Sequence, residues 1–112
     1  MSDAQHLLDA AKCASEHAYA PYSNFPVGAA LLLESGKIIV GCNVENASFG
    51  LTICAERSAL VSWISQGAKS DAIKAAAVYG GKTSGHHITP CGACRQSLVE
   101  FCAKNIPLYL FD

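Results

Sequence analysis

The sequence holds 112 residues, of which 51% are hydrophobic and 15% charged, with a formal net charge of -1. That length suits one domain with one core, and such an apolar composition suits burial against further copies of the chain. With no basic run the electrostatic footprint of a nucleic-acid binder is missing, and no apolar stretch reaches the length of a membrane span, since "VGAALLL" stops at Glu34.

In chain order, "MSDAQHLL" lacks a charged region followed by an apolar one, so no signal peptide is expected. Ser2 or Asp3 can cap a first helix reaching about Tyr19, with Leu7, Leu8, Ala11 and Ala14 inward and His6 and His17 on the surface. "APYSNFP" reads as a loop. "VGAALLL" and "KIIVGCN" read as two strands joined by a tight turn at Ser35-Gly36. "VENASFGLT" reads as irregular. Cys54 to about Gln66 reads as a helix that stops at Gly67. "IKAAAVY" is rich in alanine, yet its short length and the following Gly80-Gly81 favour a buried strand. "KTSGHHITP" is a loop, Gly92 to about Ala103 a helix, and "IPLYLF" a last strand. The order α-β-β-α-β-α-β implies an α/β fold. Strands separated by helices run parallel, and the opening hairpin adds an antiparallel edge.

The six cysteines are Cys13, Cys42, Cys54, Cys91, Cys94 and Cys102. Without a secretion signal, and with a core that needs no staples, reduced thiols in a cytoplasmic protein are expected. Cys13, Cys42 and Cys102 read as small apolar fillers.

Glu56 is the anomaly. It stands four residues before Leu60 and seven and eight before Trp63 and Ile64, so a carboxylate shares their helix face. In "PCGAC", Cys94 likewise shares a face with Leu98, Phe101 and Cys102. Two helix beginnings thus bring Cys54, Cys91, Cys94 and a carboxylate toward one place, at the strand ends where ligands collect in such sheets. Three thiolates suit zinc, and the partial positive charge of helix N-termini favours thiolate. The N–H groups and Arg57 are suited to offset the surplus negative charge. Three protein ligands leave a fourth position for water, and a neighbouring carboxylate could move that water's proton. Two blander alternatives stay open: a redox C-x-x-C pair, and a structural zinc closed by His86 or His87.

At "CAE" and "PCGAC", and also across "YAPYSNFPVGAALL" and "GCNVENASFGLTICAERSA", the sequence resembles the small homotetrameric members of the cytidine deaminase family over nearly its whole length. The resemblance implies a three-layer α/β/α fold with a mixed central sheet, in one domain spanning 1–112. It implies hydrolysis of cytidine or 2'-deoxycytidine to the uracil nucleoside and ammonia, a step of pyrimidine salvage. It also implies one zinc ion per chain on Cys54, Cys91 and Cys94, and Glu56 as general acid and base. Arg57 would interact with the ligand cysteines. Phe25 would lie against the pyrimidine ring, Asn43 and Glu45 would bond the sugar hydroxyl, and backbone groups of Ala55 and of the Ser48 region would meet the base. Phe49 stands where the family often has Tyr, and it is the candidate to cross a subunit interface. Family members usually continue with a strand, a short helix and an aromatic reaching a neighbouring site. This sequence ends at Asp112, so weaker substrate binding is expected. A deaminase of another substrate and a non-catalytic zinc module are the rival readings.

Overall fold

The structure, a computed structural model, describes residues 3–48, 51–80 and 106–111. Its elements are α1 (Asp3–Ser15), β1 (Val27–Leu33), β2 (Ile38–Cys42), α2 (Ala55–Ser65), β3 (Ile73–Gly80) and β4 (Leu108–Phe111). The expected helix over Gly92 to Ala103 lies outside the described residues.

The sheet is mixed, with strand order β2-β1-β3-β4. β1 is antiparallel to both β2 and β3, and β3 is parallel to β4. The hairpin therefore supplies the antiparallel edge expected of it. β2 forms the edge, but β1 is inserted between β2 and β3, which is why it is buried almost throughout and reads as an unbroken apolar run.

Side chains alternate along β1 between two separate cores. Ala29, Leu31 and Leu33 join Ala55, Ala59, Leu60 and Trp63 of α2 on one face. Ala30 and Leu32 join Leu7 and Ala11 of α1 on the other. With a helix on each face of the sheet, the layering is α/β/α. The alanines of β3 leave room for both helices, a packing requirement that outweighs their helical propensity.

Local chemistry sets the boundaries. α1 ends at Ser15, short of the expected Tyr19, because the chain tightens into i→i+3 bonds from Glu16, His17 and Ala18 to Cys13, Ala14 and Ser15. Its buried face is Leu7, Ala11, Ala14 and Ser15, while Leu8 lies at the flank, half-buried. The hairpin turn is longer than the tight turn expected at Ser35-Gly36. Gly36 N–H bonds Leu33 O, Leu33 N–H bonds Lys37 O, and Gly36 has φ 94°. Asp71 holds that turn by accepting from both the N–H and the hydroxyl of Ser35. α2 stops as expected: Gly67 at φ 74° sends its N–H to Ile64 O, and Ala68 N–H reaches Trp63 O.

Two readings of side chains need correction. Ile64 is 39% exposed, so the inward stripe of α2 is Glu56, Ala59, Leu60 and Trp63. Cys13 is exposed on α1 and fills no core, and Cys42 is half-buried. His6 and His17 are exposed, as expected. Among the described residues no helix is long and apolar enough to cross a membrane.

Two glycines allow the helices to seat on the sheet. A Cβ on Gly28 would lie 1.8 Å from Ala11 O of α1, and one on Gly41 would lie 2.3 Å from Ala59 N of α2. Gly28→Ala and Gly41→Ala should each cost about 3 kcal/mol through overpacking against backbone that cannot yield. Gly36→Ala meets nothing within 4 Å and should cost only the ~1–2 kcal/mol of a left-handed residue. Urea midpoints at constant m-value test this, and equal losses at Gly28 and Gly36 would contradict the seating argument.

Candidate active site

One end of the sheet gathers the start of β1 at Val27 and the ends of β2 at Cys42, β3 at Gly80 and β4 at Phe111, because Val27 pairs with Gly80, Gly28 with Cys42 and Tyr79 with Phe111. α2 begins at this end too, since its first turn lies on Gly41 of β2.

Cys54 is the N-cap of α2, in extended backbone at φ -73° and ψ 157°, with no hydrogen bond from its side chain to the helix end. It is half-buried and not in a disulfide. Glu56 follows in the first turn and is only 7% exposed, beside fully packed Ala55. Arg57 donates from Nη2 to Thr52 O at 2.7 Å, while its buried Nε–H has no partner among the described residues. A buried, unsatisfied guanidinium N–H one turn from a helix N-terminus suits an anionic acceptor such as a metal-bound thiolate. Among the described residues no three metal-ligating side chains gather, and Cys54 is the one expected ligand they include; its place at a helix start beside that N–H is compatible with a zinc ligand. Cys91 and Cys94 lie outside the described residues, as do the alternative ligands His86 and His87.

The segment after β2 is irregular, as read from sequence, but its start is extended and tied on both sides at Val44. Val44 and Ile53 exchange both backbone bonds at 2.9 Å. Tyr19 N–H bonds Asn43 O at 3.0 Å, and Glu45 N–H bonds Tyr19 O at 2.8 Å. Residues two apart on an extended chain share a face, so Asn43 and Glu45 act on the same loop. Asn43 is buried. Its Oδ1 accepts from Val27 N–H at 2.9 Å and its Nδ2 donates to Phe25 O at 3.0 Å. Glu45 Oε1 accepts from the N–H groups of Tyr22 at 3.0 Å and Ser23 at 3.1 Å, and Oε2 accepts from the Ser23 hydroxyl. Phe25 is half-buried.

Tyr22, Ser23, Glu45, Asn46 and Thr52 line a recess of about 280 Å³. Thr52 closes the circuit: its hydroxyl oxygen accepts from Asn46 N–H at 3.1 Å and its carbonyl accepts from Arg57. These bonds therefore connect Phe25, Asn43, Glu45 and Arg57 in one framework at the end of the sheet that carries Cys54, Ala55 and Glu56. Phe49 lies outside the described residues. Sequence reasoning passed over Tyr22, Ser23 and Thr52, taken as plain loop. The available signal was the x+2 spacing of Asn43 and Glu45, two polar side chains on one side of a strand extension.

The Ser23 hydroxyl, the Ser23 N–H and the Tyr22 N–H stabilise the ionised form and hold the Glu45 carboxyl below its ordinary range, against a smaller opposing effect of desolvation. A depressed folded pKa adds stability that is present above the unfolded value of about 4.3 and is lost as pH falls through the folded value. Glu45→Gln should therefore flatten the loss of stability between about pH 5 and pH 3. Chemical denaturation across that range checks it, and parallel curves for both proteins would refute it.

Comparison with known proteins agrees with this geometry. The family profile described as the cytidine and deoxycytidylate deaminase zinc-binding region matches residues 1–110. A cytidine deaminase of Sporosarcina psychrophila is 50% identical over 96% of this chain and 76% of its own length. One from Halalkalibacterium halodurans is 48% identical, over 96% and 79%. The crystal structure of a cytidine deaminase from Burkholderia pseudomallei superposes with a TM-score of 0.88 at 49% identity, covering 98% of this chain and 84% of that one. That from Mycobacterium tuberculosis gives 0.82 at 41% identity, over 100% and 85%. A profile match over nearly the full length, joined to that fold and to a Cys-Ala-Glu helix start at the sheet end, places this chain in the cytidine and deoxycytidylate deaminase family.

Proposed function

We propose that residues 1–112 form a single deaminase domain that hydrolyses cytidine and 2'-deoxycytidine to uridine and 2'-deoxyuridine, releasing ammonia, as a step of pyrimidine salvage. The observation that carries this reading is the buried carboxylate of Glu56, 7% exposed in the first turn of a helix capped by Cys54, in a chain of this family.

Cys54, Cys91 and Cys94 would hold one zinc ion per chain, whose chemistry when bound is to make water nucleophilic near neutral pH. Hydrolysis adds water at C4 of the cytosine ring and expels the amino group. Glu56 serves it by moving one proton to ring N3 and another to the departing nitrogen, with the ring stacked on Phe25. Burial on the Leu60 and Trp63 face limits the orientations open to that carboxylate. The Arg57 guanidinium would lower the negative charge of the thiolate cluster through the Nε–H that has no partner among the described residues. Backbone groups of Ala55 and the Ser48 region meet the base. Asn43 and Glu45 bond the sugar, and each retains hydrogen-bonding capacity beyond the loop contacts described. An ionised Glu45 disfavours a phosphate on that sugar, which sets nucleosides apart from nucleotides and polynucleotides. A closed zinc module would leave the buried Glu56 without a task.

Homotetramer assembly is part of the proposal. Leu51, Ile53, Val61 and Ile64, around and along α2, are 67%, 42%, 63% and 39% exposed in the single chain, an apolar surface suited to a subunit contact. Phe49 is the residue proposed to cross a subunit interface. The thiols Cys13, Cys42 and Cys54 fit a cytoplasmic setting.

An ultraviolet assay on cytidine, with zinc measured in the same preparation, should find turnover and about one zinc per chain. Absence of ammonia release from zinc-loaded protein would reject the reading. Glu56→Gln should keep fold and zinc yet lose roughly 10²–10⁴-fold in kcat, and near-normal turnover would remove Glu56 from the mechanism. Cytidine monophosphate should show kcat/KM at least roughly tenfold below cytidine, an arm that fails if the two are comparable. Light scattering should give four chains per particle, and a monomer at assay concentration would defeat the assembly.

A further inference from the structure

The loop before β1 holds a relay that the reaction chemistry alone does not demand. The Ser23 hydroxyl donates to Glu45 Oε2 and at the same time accepts from Phe25 N–H at 3.1 Å. Asn24, between them, has φ 56°, a left-handed conformation that Asn tolerates and that turns Phe25 N–H back toward the hydroxyl. One oxygen atom therefore joins the residue proposed for the base to the residue proposed for the sugar. Glu45 Oε1 already accepts two backbone bonds, so Oε2 is the oxygen with room for a sugar hydroxyl, and that is the oxygen the Ser23 hydroxyl grips.

We propose that Ser23 is a positioning residue for nucleoside recognition, fixing the rotamer of Glu45 and the approach of Phe25 so that the two engage sugar and base in one register. The proposal rests on the nucleoside reading above. Ser23 is exposed and meets the strands only through this loop, so its removal leaves both cores intact. A Thr at this position keeps the hydroxyl, whereas Ala deletes both bonds of the relay.

Steady-state kinetics on the zinc-loaded protein tests it. Ser23→Ala should raise KM for cytidine roughly tenfold, the size of one charge-assisted hydrogen bond, with kcat within about twofold. Ser23→Thr should return KM to within about threefold of the parent. In a Glu45→Gln background the Ser23→Ala effect should shrink below about threefold, because the two act as one unit. The idea is overturned if KM for Ser23→Ala stays at the parent value, if kcat falls in step with kcat/KM, or if the full effect persists without the Glu45 carboxylate. Uridine titrated into the same proteins by calorimetry separates this failure from failure of the parent reading. A chain that never deaminates cytidine would reject the activity, while a roughly tenfold weaker uridine affinity in Ser23→Ala, restored in Ser23→Thr, would still support the relay and equal affinities would sink it.

Discussion

The contact on which the site depends is the seating of α2 on Gly41. Helix axes ordinarily stand off a sheet by the thickness of a side-chain layer. Here the absent Cβ lets Ala55 O and Ala59 N approach so closely that any larger residue would collide with backbone at 2.3–2.7 Å. Ala55 and Ala59 are themselves small and buried at 1% and 0%, so nothing else separates helix from strand. The first turn of α2 is thereby held at the end of β2, with its N–H groups and partial positive charge directed at the same end of the sheet as Val27, Cys42 and Gly80. A longer spacing would leave Cys54 and Glu56 without a fixed relation to Asn43 and Glu45. The placement of this helix start therefore rests on a glycine that carries no chemical group of its own.

That geometry is carried outward by backbone as much as by side chains. The paired bonds of Val44 and Ile53 tie the strand extension to the residue before Cys54, and Thr52 links Asn46 to Arg57. Asn43 and Glu45 serve twice in this scheme. Each holds the loop over 19–27 in place, and each keeps a further polar site for a ligand. The loop is thus shaped by the groups that would bind the substrate. Such an arrangement lowers the ordering cost of binding, since the polar groups are already oriented before a nucleoside arrives. It also means that a substitution at Asn43 removes buried bonds to Phe25 and Val27 along with any ligand contact, so its effects on stability and on binding cannot be apportioned from one measurement.

Much of this was legible in the sequence because it rests on periodicity and on small punctuating residues. The odd and even positions of "VGAALLL" divide between two cores, Gly67 closes α2 in the left-handed region, and Glu56 stands on the face of Leu60 and Trp63. What was not legible depends on pairing between distant strands. Nothing local to β1 announces that β3 adds to its free edge, so which of the two hairpin strands forms the border of the sheet is not legible. Ile64 fits the i, i+4, i+8 spacing but stands about 100° around the helix from Trp63, at the flank of the stripe, so it stays exposed. Cys13 was assigned by residue type, and type alone does not tell which side of α1 faces the strands. The clip from Ser23 to Glu45 escapes a sequence reading because the partners are 22 residues apart and meet only once the loop folds over the strand extension.

The neighbouring residues Glu56 and Arg57 raise a last question, since an adjacent acid and base might be expected to neutralise each other. Successive helical side chains point about 100° apart, which turns the two in different directions. Glu56 turns inward with Leu60 and Trp63, while Arg57 turns toward Thr52, whose carbonyl takes Nη2. The guanidinium is planar, so fixing that one N–H also fixes the direction of the buried Nε–H. A lysine could satisfy the same carbonyl but would offer a rotating point charge with no second, rigidly aimed donor. The permanent cation is thus held three residues along the helix from Cys54, close to where thiolate charge would accumulate, and the carboxylate beside it in sequence is left out of that pairing. In the proposed mechanism, helix geometry would separate charge compensation at Arg57 from proton transfer at Glu56 within a span of four residues, so that one helix start could carry both tasks.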